Sequence, residues 1–184
     1  GRVGATTQVL ERISSPTGTE VNGFPKAGEP GDNQVEQDDM VLLAQQLQPV
    51  IDALRAQGVD KIIVMSHLQN LNNEKALAPL LHGVDIILAA GSHTRLGDEA
   101  DIAAAFPGHD ANFAGTYPVV TSNADGEPTL IVNTDGEYTY LGRLVVEFDQ
   151  NGVILLDSLD ASINGAYAAS EDVLELVYGD DIEQ

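Results

Sequence analysis

The sequence predicts an α/β fold, and three features predict it. Two short apolar runs, residues 62–65 and 84–90, each lead into a polar loop that carries a histidine, His67 and His93. The stretch between them, residues 72–82, has the length and apolar content of one helix. From Pro118 onward the rhythm changes to short β-type runs separated by Asp-Gly and Asn-Gly turns. Strand, loop, helix, strand, loop is a parallel crossover unit, and it sets both histidine loops at the carboxyl edge of one sheet. Open α/β sheets hold their ligands at that edge. Two imidazoles delivered there point to a metal site, because neutral imidazole suits zinc, manganese and similar ions.

The elements follow in order. Residues 3–6 are short and apolar, as in a buried strand. Residues 14–37 read as a long loop, since glycines and prolines interrupt them and apolar periodicity is lacking. Asp38 or Asp39 caps a helix that runs to about Gln57, with Leu43, Leu47, Val50 and Leu54 at three- and four-residue steps and Gly58 closing it. Residues 61–65 and 85–89 are the crossover strands, and 97–116 is a second long loop rich in Ala, Gly and Asp. Three later runs, 118–122, 129–133 and 138–149, read as antiparallel or mixed strands. Asn151-Gly152 is the strongest hairpin signal and joins 144–148 to 153–159. Residues 170–178 read as a short helix in the tail.

Composition narrows the function. With 29 acidic and 8 basic residues the net charge is −21. Binding to a nucleic-acid polymer, which relies on Lys and Arg against phosphates, is thereby excluded as an expectation. A phosphate ester is also repelled at long range unless bound cations reverse the local field. The absence of cysteine removes disulfides and thiolate metal sites. No apolar run approaches the ~20 residues of a membrane-spanning helix, so no membrane span is expected.

The order of motifs resembles a known family. Ser66-His67-Leu68 after a strand, then a helix, then Gly83-Val84-Asp85-Ile86-Ile87 and Ser92-His93-Thr94, resembles the calcineurin-like metallophosphatases, in particular their 5'-nucleotidase and alkaline-phosphatase-like branch. Residues 2–7, 117–120, 128–134, 140–144 and 145–152 extend the likeness over most of residues 2–160. The resemblance implies a layered α-β-β-α sandwich, here in part, and a centre of two divalent ions (Zn, Mn, Fe or Ca). It makes His67 a metal ligand. In the second motif, usually Gly-Gly-His-Ser-His-Thr, His93 matches the later ligand, whereas Gly91 stands where the first would be. The family's upstream motifs, Asp-x-His, Gly-Asp and Gly-Asn-His-Asp or Gly-Asn-His-Glu, do not occur, and the only histidines are His67, His82, His93 and His109.

The expectation that follows is the second half of a metallophosphatase domain over residues 1–165, with 166–184 as a connector helix or tail. The parent would be a periplasmic or extracellular phosphomonoesterase acting on a phosphate ester or nucleotide, with metal-held water or hydroxide attacking phosphorus. The upstream half of the same domain would be this chain's partner, and the chain alone would be inactive. The alternative is a non-catalytic binding or scaffold module in which Gly91 marks a decayed site.

Each residue also has a plainer reading. His67 can be a strand-end histidine bonded to a nearby carbonyl, and His93 can have changed role with its motif. His82, at the predicted helix end, suits the negative pole of the helix dipole. His109, in a loop, is either solvated or a replacement ligand. Arg95 either meets a substrate phosphate or pairs with carboxylates. Asn133 and Asp135 fit a turn beside Gly136. Ser66, His67 and Asp85 are formally a hydrolytic triad, but no G-x-S-x-G elbow accompanies them.

Overall fold

The structure, a computed structural model, describes residues 1–15, 17–18, 39–108, 112–171 and 173. In chain order it contains β1 (Arg2–Thr6), α1 (Leu10–Ile13), α2 (Met40–Arg55), β2 (Ile63–His67), α3 (Leu71–Leu77), β3 (Ile86–Leu88), β4 (Val119–Ser122), β5 (Pro128–Val132), β6 (Tyr140–Arg143), β7 (Glu147–Phe148), β8 (Ile154–Leu155) and β9 (Gly165–Ala168). Short 3-10 turns cover Ala78–Leu80, Glu99–Ala104 and Leu156–Ser158.

Strands β1, β2, β3 and β5 run parallel, and β4 pairs antiparallel with β5 at the edge, giving the order β1-β2-β3-β5-β4. The register sets Val3, Val64, Ile87 and Ile131 in one row. All four are buried in the main core with Leu43, Leu47 and Ile51 of α2 and Leu71 and Leu77 of α3. Each such side chain contributes about 1.5–3 kcal/mol on leaving water. The helices therefore cover one face of the sheet. On the opposite face, Ile86 and Leu130 pack with Ile154 of β8 and with Leu144, Val146 and Phe148. The sandwich is thus α on one side and a β ribbon on the other, as the expected α/β class required.

That ribbon stops short. The next row of the second face is Gly4, Met65, Leu88 and Val132. Met65 is 45% and Leu88 39% exposed, so the sheet keeps an open apolar strip running up to His67.

Helix α2 begins where expected. Asp39 caps it, its carboxylate accepting from the Leu42 N–H at 3.0 Å, and Gly58 follows it at φ +84. One position of the predicted face is wrong: Val50 is 49% exposed, and Ile51, fully buried, takes its place. The expected helix over 72–82 is α3 followed by a 3-10 turn that ends at Leu80. The loop 97–116 contains the 3-10 segment Glu99–Ala104, closed by a capping box between Asp98 and Asp101.

The single run expected over 138–149 divides into β6 and β7. Glu137 and Tyr138, at φ 57 and 61, break the extended backbone before Tyr140. Strand β6 then pairs with β9, and β7 pairs with β8 through the expected Asn151-Gly152 turn. Between β6 and β7 the Asn164 side chain takes over the ladder, accepting from the Val145 N–H at 2.5 Å and donating to its carbonyl at 3.1 Å. Residue 165 is the first of β9, so the body of the fold continues to Ala168. Most of the loop expected over 14–37 and of the helix expected over 170–178 lies outside the described residues.

Candidate metal centre

Parallel strands β2 and β3 end at one edge, and the loops that follow them carry His67 and His93 there. His67 is the last residue of β2 and pairs across the ladder with Thr6, while its carbonyl accepts from the Thr7 N–H at 3.0 Å. Alternation along the strand puts His67 on the face of Met65, and Ser66 on the helical face. The Ser66 hydroxyl donates to the Glu74 carboxylate of α3 at 2.8 Å, and both residues are buried. That pair anchors the strand end directly beneath His67. Nothing in the local sequence marks Glu74 as a buried residue; the neighbouring packing of α3 on β2 decides it.

The loop after β3 is held in an unusual shape. Gly91 has φ +87 and His93 φ 50. Gln69 (φ 65), after β2, and Asp135 (φ 77), after β5, are also left-handed. Non-glycine residues in that region are uncommon, and such strain gathers at functional sites. The segment is stitched to the residues following β5. Arg95 bridges Thr134, the Asp135 N–H donates to the Thr94 carbonyl at 3.1 Å, and the Asn133 amide donates to the Ser92 hydroxyl at 2.9 Å.

Both imidazoles rest on glycines. A Cβ at Gly91 would lie 2.6 Å from Cδ2 and 2.7 Å from Nε2 of His67. A Cβ at Gly136 would lie 2.7 Å from Nδ1 of His93. Both residues are exposed, and neither ring hydrogen-bonds to a described residue. The plainer reading of His67, a ring tied to a neighbouring carbonyl, is therefore not seen among the described residues. Unengaged ring nitrogens on one edge fit part of a metal shell. They do not complete one, because no group of three or more ligating side chains occurs among the described residues. His109 lies outside those residues.

The remaining candidates move elsewhere. His82 does not cap a helix: its Nδ1 meets Asp125 at 2.6 Å, and its backbone exchanges hydrogen bonds with the Gln48 side chain. Asp85 accepts from the Ile62 N–H at 2.6 Å, at the opposite end of β2 from His67, so Ser66, His67 and Asp85 form no triad. Among the described residues the half-buried Arg95 guanidinium makes no salt bridge with a carboxylate. It lies 4.7 Å from the Phe113 ring and 4.4 Å from the Tyr140 ring, with Nε and Nη2 buried and hydrogen-bonded to no described residue.

A mixed sheet of this order, with helices packed on one face and a β ribbon on the other, places the protein in the α/β class. Its relatives are more particular. The chain is 30% identical to human 5'-nucleotidase over 148 residues, which is 76% of this chain and 24% of that protein. It is 31% identical to the bovine 5'-nucleotidase over 131 residues, 71% of this chain and 21% of the relative. Among solved structures it matches a 5'-nucleotidase precursor from Thermus thermophilus with TM-score 0.56 and 31% identity, over 78% of this chain and 25% of that one. The NAD nucleotidase of Haemophilus influenzae, at 24% identity and TM-score 0.52, shares the fold. No family model matches the chain. The homologues of this chain are thus 5'-nucleotidases, the branch that the motif order resembles, and it spans about a quarter of the length of the human relative.

Proposed function

We propose that the chain is part of a metal-dependent phosphomonoesterase of 5'-nucleotidase type, and that it supplies two ligands, His67 and His93, to a centre completed by residues outside it. The observation that carries this reading is the pair of imidazoles on one sheet edge, each backed by a glycine and neither hydrogen-bonded to a described residue. Bound divalent ions would supply charge stabilisation at phosphorus and a water acidified for attack. This chain's own part is to orient two rings and to exclude competing side chains at positions 91 and 136. Bound cations would also offset the repulsion that a net charge of −21 imposes on a phosphate ester.

The open strip of Gly4, Met65 and Leu88 supports the half-domain reading. It runs up to His67 and exposes the apolar side chains of Met65 and Leu88, as a surface covered by a further layer of the same domain would. On this reading the second half of the domain runs from residue 1 to the end of β9 at Ala168, just past the expected boundary at 165, the residues that follow lead onward as a connector or tail, and the upstream half is the partner. A periplasmic or extracellular setting belongs to the same reading. Among the described residues no helix is long and apolar enough to cross a membrane.

A non-catalytic descendant of the same fold has one observation in its favour, since Gly91 offers no ligand and the His67 ring occupies the space beside it. Hydrolysis of p-nitrophenyl phosphate and AMP separates the two. We expect the longer parent to turn over both with Mn²⁺ or Zn²⁺, to stop with EDTA, and to lose activity in His67→Ala, while the 184-residue chain is inactive. EDTA-sensitive turnover by the chain alone would overturn the incomplete site. A parent that binds no transition metal would favour the non-catalytic module.

A further inference from the structure

Gly91 stands where the resembled motif carries a metal ligand, and the space that a side chain at 91 would enter is already filled. A Cβ there would lie 2.7 Å from Nε2 of His67 and 2.8 Å from Nε2 of Gln69. The imidazole and the Gln69 amide thus converge on one point at the candidate metal centre. We propose that Gln69 replaces the ligand missing at Gly91, its amide oxygen joining His67 on one divalent ion. The assignment rests on the metal-centre reading above and adds a third residue of this chain to it.

The backbone shows why this side chain matters. Gln69 is the second residue after β2, and its φ of 65 turns the chain from the strand towards α3. Both neighbours are fixed. Leu68 is buried, and its carbonyl accepts from the Asn73 side-chain amide at 3.0 Å. Asn70 caps α3, its side chain accepting from the Asn72 N–H at 3.0 Å. A left-handed residue held in this way is most easily a glycine, which carries no Cβ penalty. Glutamine carries that penalty, and among the described residues nothing offsets it: the half-buried amide hydrogen-bonds to none of them. A coordinated ion would offset it.

The chemistry of the amide suits the role. Its oxygen is an acceptor with two lone pairs, and a half-turn about the last side-chain bond exchanges oxygen and nitrogen. That half-turn sets Oε1 where Nε2 lies, without moving the backbone. Amide carbonyl oxygens coordinate hard divalent ions. An oxygen in place of an imidazole also shifts the preference at that position towards Mn²⁺, Mg²⁺ or Ca²⁺ and away from zinc. Gly91 and Gln69 together remodel the ligand set and do not empty it.

The test is Mn²⁺ binding to the longer parent by equilibrium dialysis, with urea unfolding of the metal-free proteins alongside. We expect two bound ions in the wild type. Gln69→Gly should relieve the left-handed backbone and unfold at no lower urea concentration. It should nevertheless bind one ion at least about tenfold more weakly, the small end of the losses that follow removal even of residues that only orient metal ligands. Gln69→Glu keeps an oxygen at the same reach and should retain the ion that Gln69→Gly loosens. Two ions bound by Gln69→Gly as tightly as by the wild type would overturn the proposal and leave the metal centre standing. Equal loss in Gln69→Glu and Gln69→Gly would also overturn it, by marking the amide N–H as the working group. A parent that binds neither Mn²⁺ nor Zn²⁺ would overturn the metal-centre reading, and the assignment of Gln69 with it.

Discussion

The imidazole of His67 packs on the backbone of Gly91, so closely that a Cβ there would lie 2.6 Å from the ring. The position where the resembled motif carries a ligand is therefore the wall that orients another. A methyl group at 91 must push the ring aside, because the backbone on both sides is tied into the sheet edge, and at φ +87 it also carries left-handed strain. We expect Gly91→Ala to lower stability by about 1–2 kcal/mol and to move the His67 ring resonances while leaving those of His82 in place. Unmoved His67 resonances would show that the contact does not orient the ring.

Arg95 stacks between Phe113 and Tyr140. The stack ties the loop after β3, the residues before β4 and strand β6 together, next to His93. Removing it in Arg95→Ala should cost about 1–2 kcal/mol in urea unfolding, the range for a desolvated cation–π contact. Inhibition of the parent by inorganic phosphate should stay within twofold of wild type, by the rough standard that an uninvolved residue shifts affinity by less than about 0.5 kcal/mol. A large loss of phosphate affinity would restore Arg95 to substrate binding.

Asp85 is buried at the far end of β2, and desolvation raises its pKa from 3.8 to about 6, opposed by the Ile62 N–H, with Glu127 raising it further and Arg55 and Lys61 lowering it. Its folded pKa lies above its unfolded one, so between those values the folded chain holds a proton that the unfolded chain has released. Stability then falls as pH rises from 3.8 towards 6, and the cost is complete above that window. The whole effect is on the order of 2–3 kcal/mol. Asp85→Asn keeps an acceptor for Ile62, and its unfolding free energy should be flatter than wild type across this window. Parallel curves for the two proteins would refute the assignment.

Asp125 should show the opposite sign. The His82 ring, the Gly83 N–H and Arg55 hold its carboxyl below the usual 3.8. The stabilisation is present above that value and is lost as pH falls through the lower, folded pKa. The groups are largely solvated, so Asp125→Asn should cost no more than about 1 kcal/mol at neutral pH. The deficit should shrink below pH 3.8, as measured by urea unfolding at a series of pH values. A deficit that persists in acid would indicate packing and not charge.

The amino-acid sequence by itself determined the parallel crossover, the carboxyl-edge placement of His67 and His93, the Asp39 cap, the Gly58 stop and the Asn151-Gly152 hairpin. These are local properties: apolar runs of strand length, a cap that accepts its own helix's N–H, and glycines where φ must be positive. Tertiary structure decided the rest. Ile51 replaced Val50 in the core because the docking angle of α2 on the sheet, not its periodicity alone, selects the buried stripe. The run expected over 138–149 broke in two because β9 and β8, distant in sequence, compete for different parts of it. Arg95 turned inward because Phe113 and Tyr140 converge on it from separate elements. Contacts between residues far apart in the chain leave no periodic trace in either partner, so only the folded arrangement reveals them.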